Sequence, residues 1–185
     1  LNYHKNFSSY RNVKKSFFSK SDENNIVSID NDLGKEIYSE NKSTLTVSVN
    51  DKVANLYLEN NLIKTPWGDL TNFFPFKSKF MISNFLCALG LYGKIFNEID
   101  FEAEMLKNLK NLPGRLQKIS LFQDKICYVD YAHTPDALKS VLDYLRGRYK
   151  GKIITLFGCG GERDSSKRGE MGKIAQEKSD FQIIT

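Results

Sequence analysis

Three short segments of this 185-residue chain carry residue types that could do chemistry. The first is Phe157-Gly158-Cys159-Gly160-Gly161-Glu162-Arg163-Asp164-Ser165-Ser166-Lys167-Arg168, which follows an apolar run and precedes a helical pattern. Glycines at the carboxyl end of a strand let backbone amides approach an anion at the next helix N-terminus, and Arg163, Lys167 and Arg168 add positive charge there. An ordinary strand-to-helix turn reads the same way. The run is neither G-x-G-x-x-G nor the G-x-x-x-x-G-K-[ST] phosphate loop, and the latter occurs nowhere in the chain. The second segment, Val129-Asp130-Tyr131-Ala132-His133-Thr134-Pro135-Asp136-Ala137-Leu138, sets one of the two histidines beside a carboxylate. Asp130 has acceptors for a ribose diol and His133 can meet a phosphate or base edge; equally, Asp130 ends a strand and Thr134 caps a helix with Pro135 in its first turn. The third is Leu1-Asn2-Tyr3-His4 with Lys14 ten residues after His4. A His and a Lys are ordinary surface residues unless the lysine carries a covalent modification that converts a cation into a metal-binding anion.

The elements that must position these residues follow from periodicity. Tyr10, Val13, Lys14, Phe17 and Phe18 recur at helical spacing, predicting a helix over Ser8–Ser19. Strand patterns occupy Asn25–Ile29, Thr44–Val49, Ala54–Leu58 and Asn61–Thr65, with a turn or cap at Asp30-Asn31-Asp32 and a short helix over Leu33–Ser39. The last three strands, bounded by Asn-Asp and Asn-Asn, predict an antiparallel meander. Phe80, Ile82, Phe85, Leu86, Leu89 and Tyr92 predict a buried helix from Lys79 that ends near Gly90 or Gly93, and Asp100–Leu109 a second helix. After the turn Leu112-Pro113-Gly114-Arg115 the pattern changes. Strands over Lys118–Phe122, Ile126–Tyr131, Lys152–Phe157 and Phe181–Ile184, with helices over Pro135–Tyr149 and Lys167–Lys178, predict a parallel βαβ sheet that begins a new α/β domain. The junction falls at residues 112–120, giving domains 1–114 and 115–185.

Composition narrows the classes. The chain is 41% hydrophobic and 12% aromatic, enough to bury a core. Its 27 basic and 22 acidic residues leave a formal charge of +5, scattered along the chain, so a solvated lysine-rich surface accounts for the charge as well as an anionic ligand does. Cys87, Cys127 and Cys159 are an odd count at wide spacing, which points away from a disulfide framework or a zinc site and towards a reducing cytoplasm. No apolar run reaches the roughly 18 residues of a spanning helix, and no export signal or membrane insertion is expected.

Five blocks, in order, resemble the Mur ligases: Leu1–His4 through Lys14; Ser28–Gly34; Ser83–Leu89; Leu112–Gln117; and Asp130–Leu138. The string from Phe157 through Arg168 to Met171-Gly172 is similar to the members that add an amino acid to a UDP-N-acetylmuramoyl dipeptide, the MurE type. The resemblance implies an α/β chain made of the end of a central ATP-binding domain and the start of a Rossmann-like C-terminal domain, which close over ATP and the UDP-linked peptide. It implies an enzyme that phosphorylates a peptide carboxylate with ATP and Mg²⁺, forming an acyl phosphate attacked by the incoming amine. Residue by residue, Lys14 matches the lysine that is carbamylated in the family and then helps hold a magnesium ion, Asn84 an asparagine near adenine, and Arg115 and Asp130 the phosphate and ribose contacts. His133 falls in the same nucleotide site, Arg163 matches the arginine on the incoming amino acid's carboxylate, and Lys167 is a basic contact in the same turn.

Asn2 stands where the family's string has an aspartate, and Met81 where F-N-x-x-N has its first asparagine. The family's G-K-T/S loop, a metal-binding histidine before Leu1, the uridine-binding domain and the tetrapeptide that separates diaminopimelate from lysine users are not in the chain, so it is expected to be an internal segment, inactive alone. The implied partners are UDP-MurNAc-dipeptide and a free amino acid, with no nucleic acid and a monomeric state. Folylpolyglutamate synthetase and cyanophycin synthetase are the alternative ligases, against which Phe157–Gly161 with Arg163-Asp164 argues; a noncatalytic nucleotide-binding module is the alternative of another class.

Overall fold

The computed structural model describes residues 6–19, 25–71, 76–102, 106, 108–120, 123, 125–160 and 166–185, and these form two compact units that part between Lys110 and Asn111.

In the first unit, α1 (Phe7–Ser19) is followed by β1 (Ile26–Ser28), α2 (Asp32–Glu40), β2 (Leu45–Ser48), β3 (Leu56–Glu59), β4 (Leu62–Thr65), β5 (Gly68–Thr71) and α3 (Lys79–Phe96). The strands form one sheet in the order β1-β2-β3-β4-β5. Successive residues of a strand face opposite sides, and β1 uses both. Val27 and Ile29 pack with Ile37 of α2 and with Ala54, while Ile26 lies near Gly90 of α3. Val47, Leu56 and Ile63 are fully buried in the three central strands. The α1 helix is tied to α2 by Arg11 and Lys15, both paired with Glu36, and Lys15 also meets Glu40 at 2.6 Å.

The predicted antiparallel meander is half correct. The β3–β4 and β4–β5 pairs are antiparallel, but β2 and β3 are parallel. The connection 49–55 is shorter than the roughly dozen residues such a link usually needs, and side chains make it possible. The amides of Asn50 and Asp51 both donate to the Ser48 hydroxyl, and Asn55 exchanges bonds with Thr46 at 2.8 and 3.0 Å, so the chain doubles back beside β2 before β3 begins. The Asn60-Asn61 hairpin turn has φ 49° and 63°, the left-handed pair that Asn tolerates. Sequence reading passed over β5, because Pro66, Gly68 and Asp69 are poor strand formers; its ladder with β4 creates it.

The α3 helix also runs further than expected, to Phe96, and ends at Asn97 with φ 56°. Gly93 is a point of close approach instead of a cap: a Cβ there would stand 2.4 Å from the Trp67 ring. Of the helix predicted over Asp100–Leu109, residues 103–105 and 107 lie outside the described residues; Leu106 is helical, and Phe101, Glu102 and Asn108 lie in turns.

In the second unit, β6 (Gln117–Ser120) and β7 (Ile126–Val129) form an antiparallel pair, followed by α4 (Pro135–Arg148), β8 (Ile154–Phe157), α5 (Ser166–Lys178) and β9 (Phe181–Ile184). The expected parallel βαβ arrangement is realised by β8-α5-β9, with Ile154 opposite Phe181. It is not realised across β7-α4-β8, which share no ladder among the described residues. β7 pairs instead with β6, its neighbour along the chain, and short loop closure costs less entropy than a helix-long one. The α4 and α5 helices pack together through Leu138, Leu142, Met171 and Ala175. At the far end of α4, Arg146 donates to Asp180 at 2.7 Å, and the same carboxylate accepts the Ile153 amide at 2.8 Å, joining the starts of β8 and β9.

Two outcomes test this packing. Leu56→Ala is expected to cost about 2–5 kcal/mol in urea unfolding, whereas Val53→Ala, at a site 79% exposed, should change little. The Ile153 amide first, and Arg146 second, hold the Asp180 carboxyl below its usual range. Its folded-state pKa is depressed, so its contribution is present above the ordinary carboxylate pKa of about 4 and is lost as pH falls through the folded value. Melting curves of Asp180→Asn and wild type should therefore differ at neutral pH and converge in acid.

Candidate functional site

Four of the residues singled out from sequence come together in the second unit. The turn Leu112–Arg115 closes with the Arg115 amide donating to the Leu112 carbonyl at 3.1 Å. It places Gly114 at φ 67° and Leu116 at φ 46°. A left-handed leucine is strained, and the strain is held by Asp130, just past the end of β7. One Asp130 oxygen accepts the Leu116 amide and the other the Ala132 amide, each at 2.8 Å. Tyr131 donates its amide to the Gly114 carbonyl at 2.8 Å, extending the β6–β7 ladder into the two loops.

That clasp sets the side chains. The Arg115 guanidinium lies over the Tyr131 ring, 5.2 Å from its centroid, a contact worth about 0.5–1 kcal/mol at an exposed position. His133 meets the edge of the same ring at 5.3 Å, and its Nδ1 lies 3.1 Å from the Tyr131 carbonyl. Lys167, in the first turn of α5, donates to the His133 carbonyl at 2.9 Å. Thr134 caps α4 by accepting the Ala137 amide, with Pro135 opening the helix. The cap expected at Thr134 is present, and Asp130 and His133 lie just before it.

The result is an exposed surface with two cations, one histidine, one carboxylate and one open aromatic face. Each Asp130 oxygen has a lone pair beyond its amide bond and can accept a hydroxyl. Arg115 and Lys167 are fixed positive charges suited to an anion. Tyr131, 67% exposed, was missed by sequence reasoning as a site residue. An aromatic inside D-Y-A-H-T-P is indistinguishable from a core residue until its exposure is known.

Two further expected site residues belong to the first unit. Asn84 is exposed on α3 and Lys14 is exposed on α1, both in the first unit. The Lys14 ammonium lies 5.6 Å from the Tyr10 ring centroid. Among the described residues no three His, Cys, Asp or Glu converge. Met81, at the position of the family's first asparagine, is buried and belongs to the core. Arg163, with Gly161, Glu162, Asp164 and Ser165, falls outside the described residues, as do Leu1–His4. No helix among the described residues is long and apolar enough to cross a membrane.

Residues 114–185 match the family described as Mur ligase, glutamate ligase domain. The fold agrees with that class: over 96% of this chain and 42% of the other, it superposes on MurF from Acinetobacter baumannii with TM-score 0.74 at 18% identity. The chain belongs to the Mur ligases. Within that family it is similar to the UDP-N-acetylmuramoyl-L-alanyl-D-glutamate–2,6-diaminopimelate ligases. It is 34% identical to that of Coxiella burnetii over 100% of this chain and 41% of the relative, and 33% identical to that of Fusobacterium nucleatum over 100% and 40%. The chain thus spans about two fifths of the length of the curated relatives it matches.

The clasp is testable without any ligand. Asp130→Ala removes the acceptor of two amides, and hydrogen exchange at Leu116 and Ala132 should accelerate by about tenfold or more, while exchange in α4 and α5 stays as in the wild type.

Proposed function

We propose that the protein carrying this chain is an ATP-dependent ligase of peptidoglycan synthesis that adds the third amino acid to UDP-MurNAc-L-Ala-D-Glu through an acyl phosphate. The observation that carries the reading is that Arg115, Asp130, His133 and Lys167 are gathered at the joined loops around Tyr131, Arg115 over its ring and Lys167 on the His133 carbonyl, in a chain whose relatives bear that ligase name. In this reading Asp130 accepts the ribose hydroxyls of ATP, while Arg115 and Lys167 neutralise its phosphates. His133 borders the same surface. Asn84 contacts adenine, and Arg163 binds the carboxylate of the incoming amino acid. Lys14 acts as N6-carboxylysine, its carbamate supporting Mg²⁺. The reacting groups are all anionic, and cations that lower their mutual repulsion are what such a transfer requires.

Residues 1–114 then belong to the central ATP-binding domain and residues 115–185 to the C-terminal domain. The protein would work as a cytoplasmic monomer on a UDP-linked dipeptide and a free amino acid, and contribute through cell-wall synthesis to cell shape and division.

The test is phosphate release by the full-length protein with ATP, Mg²⁺, UDP-MurNAc-L-Ala-D-Glu and, in turn, diaminopimelate and lysine. Release that needs both acceptor and amino acid is expected, and Arg115→Ala should lower kcat/KM for ATP by about 10²-fold, the loss of one charged contact of some 2.7 kcal/mol. No release with any amino acid would count against the assignment.

A further inference from the structure

A second aspartate, Asp30, does in the first unit what Asp130 does in the second. It stands two residues past the end of β1, and its carboxylate gathers donors from the end of the neighbouring parallel strand. One oxygen accepts the Ser48 hydroxyl at 2.5 Å and the Asn50 side-chain amide at 3.0 Å; the other accepts the Val49 backbone amide at 2.9 Å. Ser48 is fully buried and its hydroxyl oxygen already holds the amides of Asn50 and Asp51. The network does not stop at the sheet. Asn50 accepts Lys79 Nζ at 2.7 Å, and Lys79 is the first residue of α3. That helix begins without a side-chain cap: Ser78 is buried and its hydroxyl has no partner among the described residues. The start of α3 is therefore tied to the strand ends through Asn50 and Asp30. One turn and a half further on is Asn84, and Cys87 lies three residues beyond it on the same side. Burial first, and the charge of Asp30 second, hold the Cys87 thiol above its usual range.

We infer that Asp30 is a positioning residue for nucleotide binding, fixing the start of α3, and with it Asn84, through the Asn50–Lys79 bridge. The inference rests on the ligase reading above and assigns no direct contact between Asp30 and ATP. A carboxylate suits the task because all its bonds here are accepted; an amide of the same size would turn one oxygen into a donor facing donors. Lys79 links the same network to the helix without touching Asp30 itself, so cutting it separates positioning of α3 from support of the sheet.

The experiment measures KM for ATP, kcat and melting temperature in the full-length protein for Asp30→Asn, Lys79→Met and the double variant, with binding of a fluorescent ATP analogue as a second readout. Asp30→Asn is expected to raise KM and the analogue Kd about tenfold with kcat within about threefold, and Lys79→Met to raise both about threefold at unchanged melting temperature. Because the two residues act through one bridge, the double variant should be no worse than Asp30→Asn alone. Loss of melting temperature with KM and Kd unmoved in the single variants overturns the inference, as do effects that multiply in the double variant. If Asp30→Asn does not fold, Lys79→Met decides by its KM. A wild-type protein that neither binds nor turns over ATP sinks the ligase reading together with this inference, whereas a normal wild type with unmoved variants sinks this inference alone.

Discussion

Asp130 accepts the amides of Leu116 and Ala132, and most of the second unit's chemistry depends on those two bonds. They join the turn before β6 to the loop after β7, and they hold Leu116 in a left-handed conformation that a branched side chain avoids. With the loops joined, Arg115 lies over the Tyr131 ring and His133 packs against it in a T-shaped contact. A carboxylate is suited to this because it has acceptor capacity to spare: two backbone amides leave room for further donors. The same group that shapes the loops can thus face a ligand.

The first unit shows the same device on another scale. Asp30 also sits just beyond a strand and also collects a backbone amide together with side-chain donors, here from the end of β2. Parallel strands all end on one edge, where their last amides lack ladder partners. An acidic residue at that edge satisfies such an amide, as Asp30 does for Val49. In the second unit Asp130 and His133 follow β7, whose partner β6 runs antiparallel to it. The apolar sides of the strands do different work. Val47, Leu56 and Ile63 are sealed in the first unit, whereas Ile154, Leu156, Phe181 and Ile184 of β8 and β9 are exposed.

What could be read without coordinates was local or dense. The α1 stripe, the Asn31 and Thr134 caps, the Asn60-Asn61 turn and the βα alternation after Pro113 are short-range signals, each set by a few neighbouring residues. The grouping of Arg115, Asp130, His133 and Lys167 was reached through resemblance of whole strings, and spacing alone left each of them an ordinary turn residue. Met81, which departs from the asparagine that the string has at its place, is buried and belongs to the core.

The sequence by itself determined the kinds of element, the family and the chemically able residues, because propensity, capping and dense motifs are carried by residues close together in the chain. Tertiary structure alone decided that β2 and β3 run parallel, that α3 continues past Gly90 and Gly93, that β7 pairs with β6 and not β8, and that Tyr131 faces outwards. Each of these turns on a contact between residues distant in the chain: Thr46 with Asn55, Trp67 against Gly93, Gly114 with Tyr131. Strand edges and helix faces offer several equivalent partners, and only the assembled set of side chains selects among them.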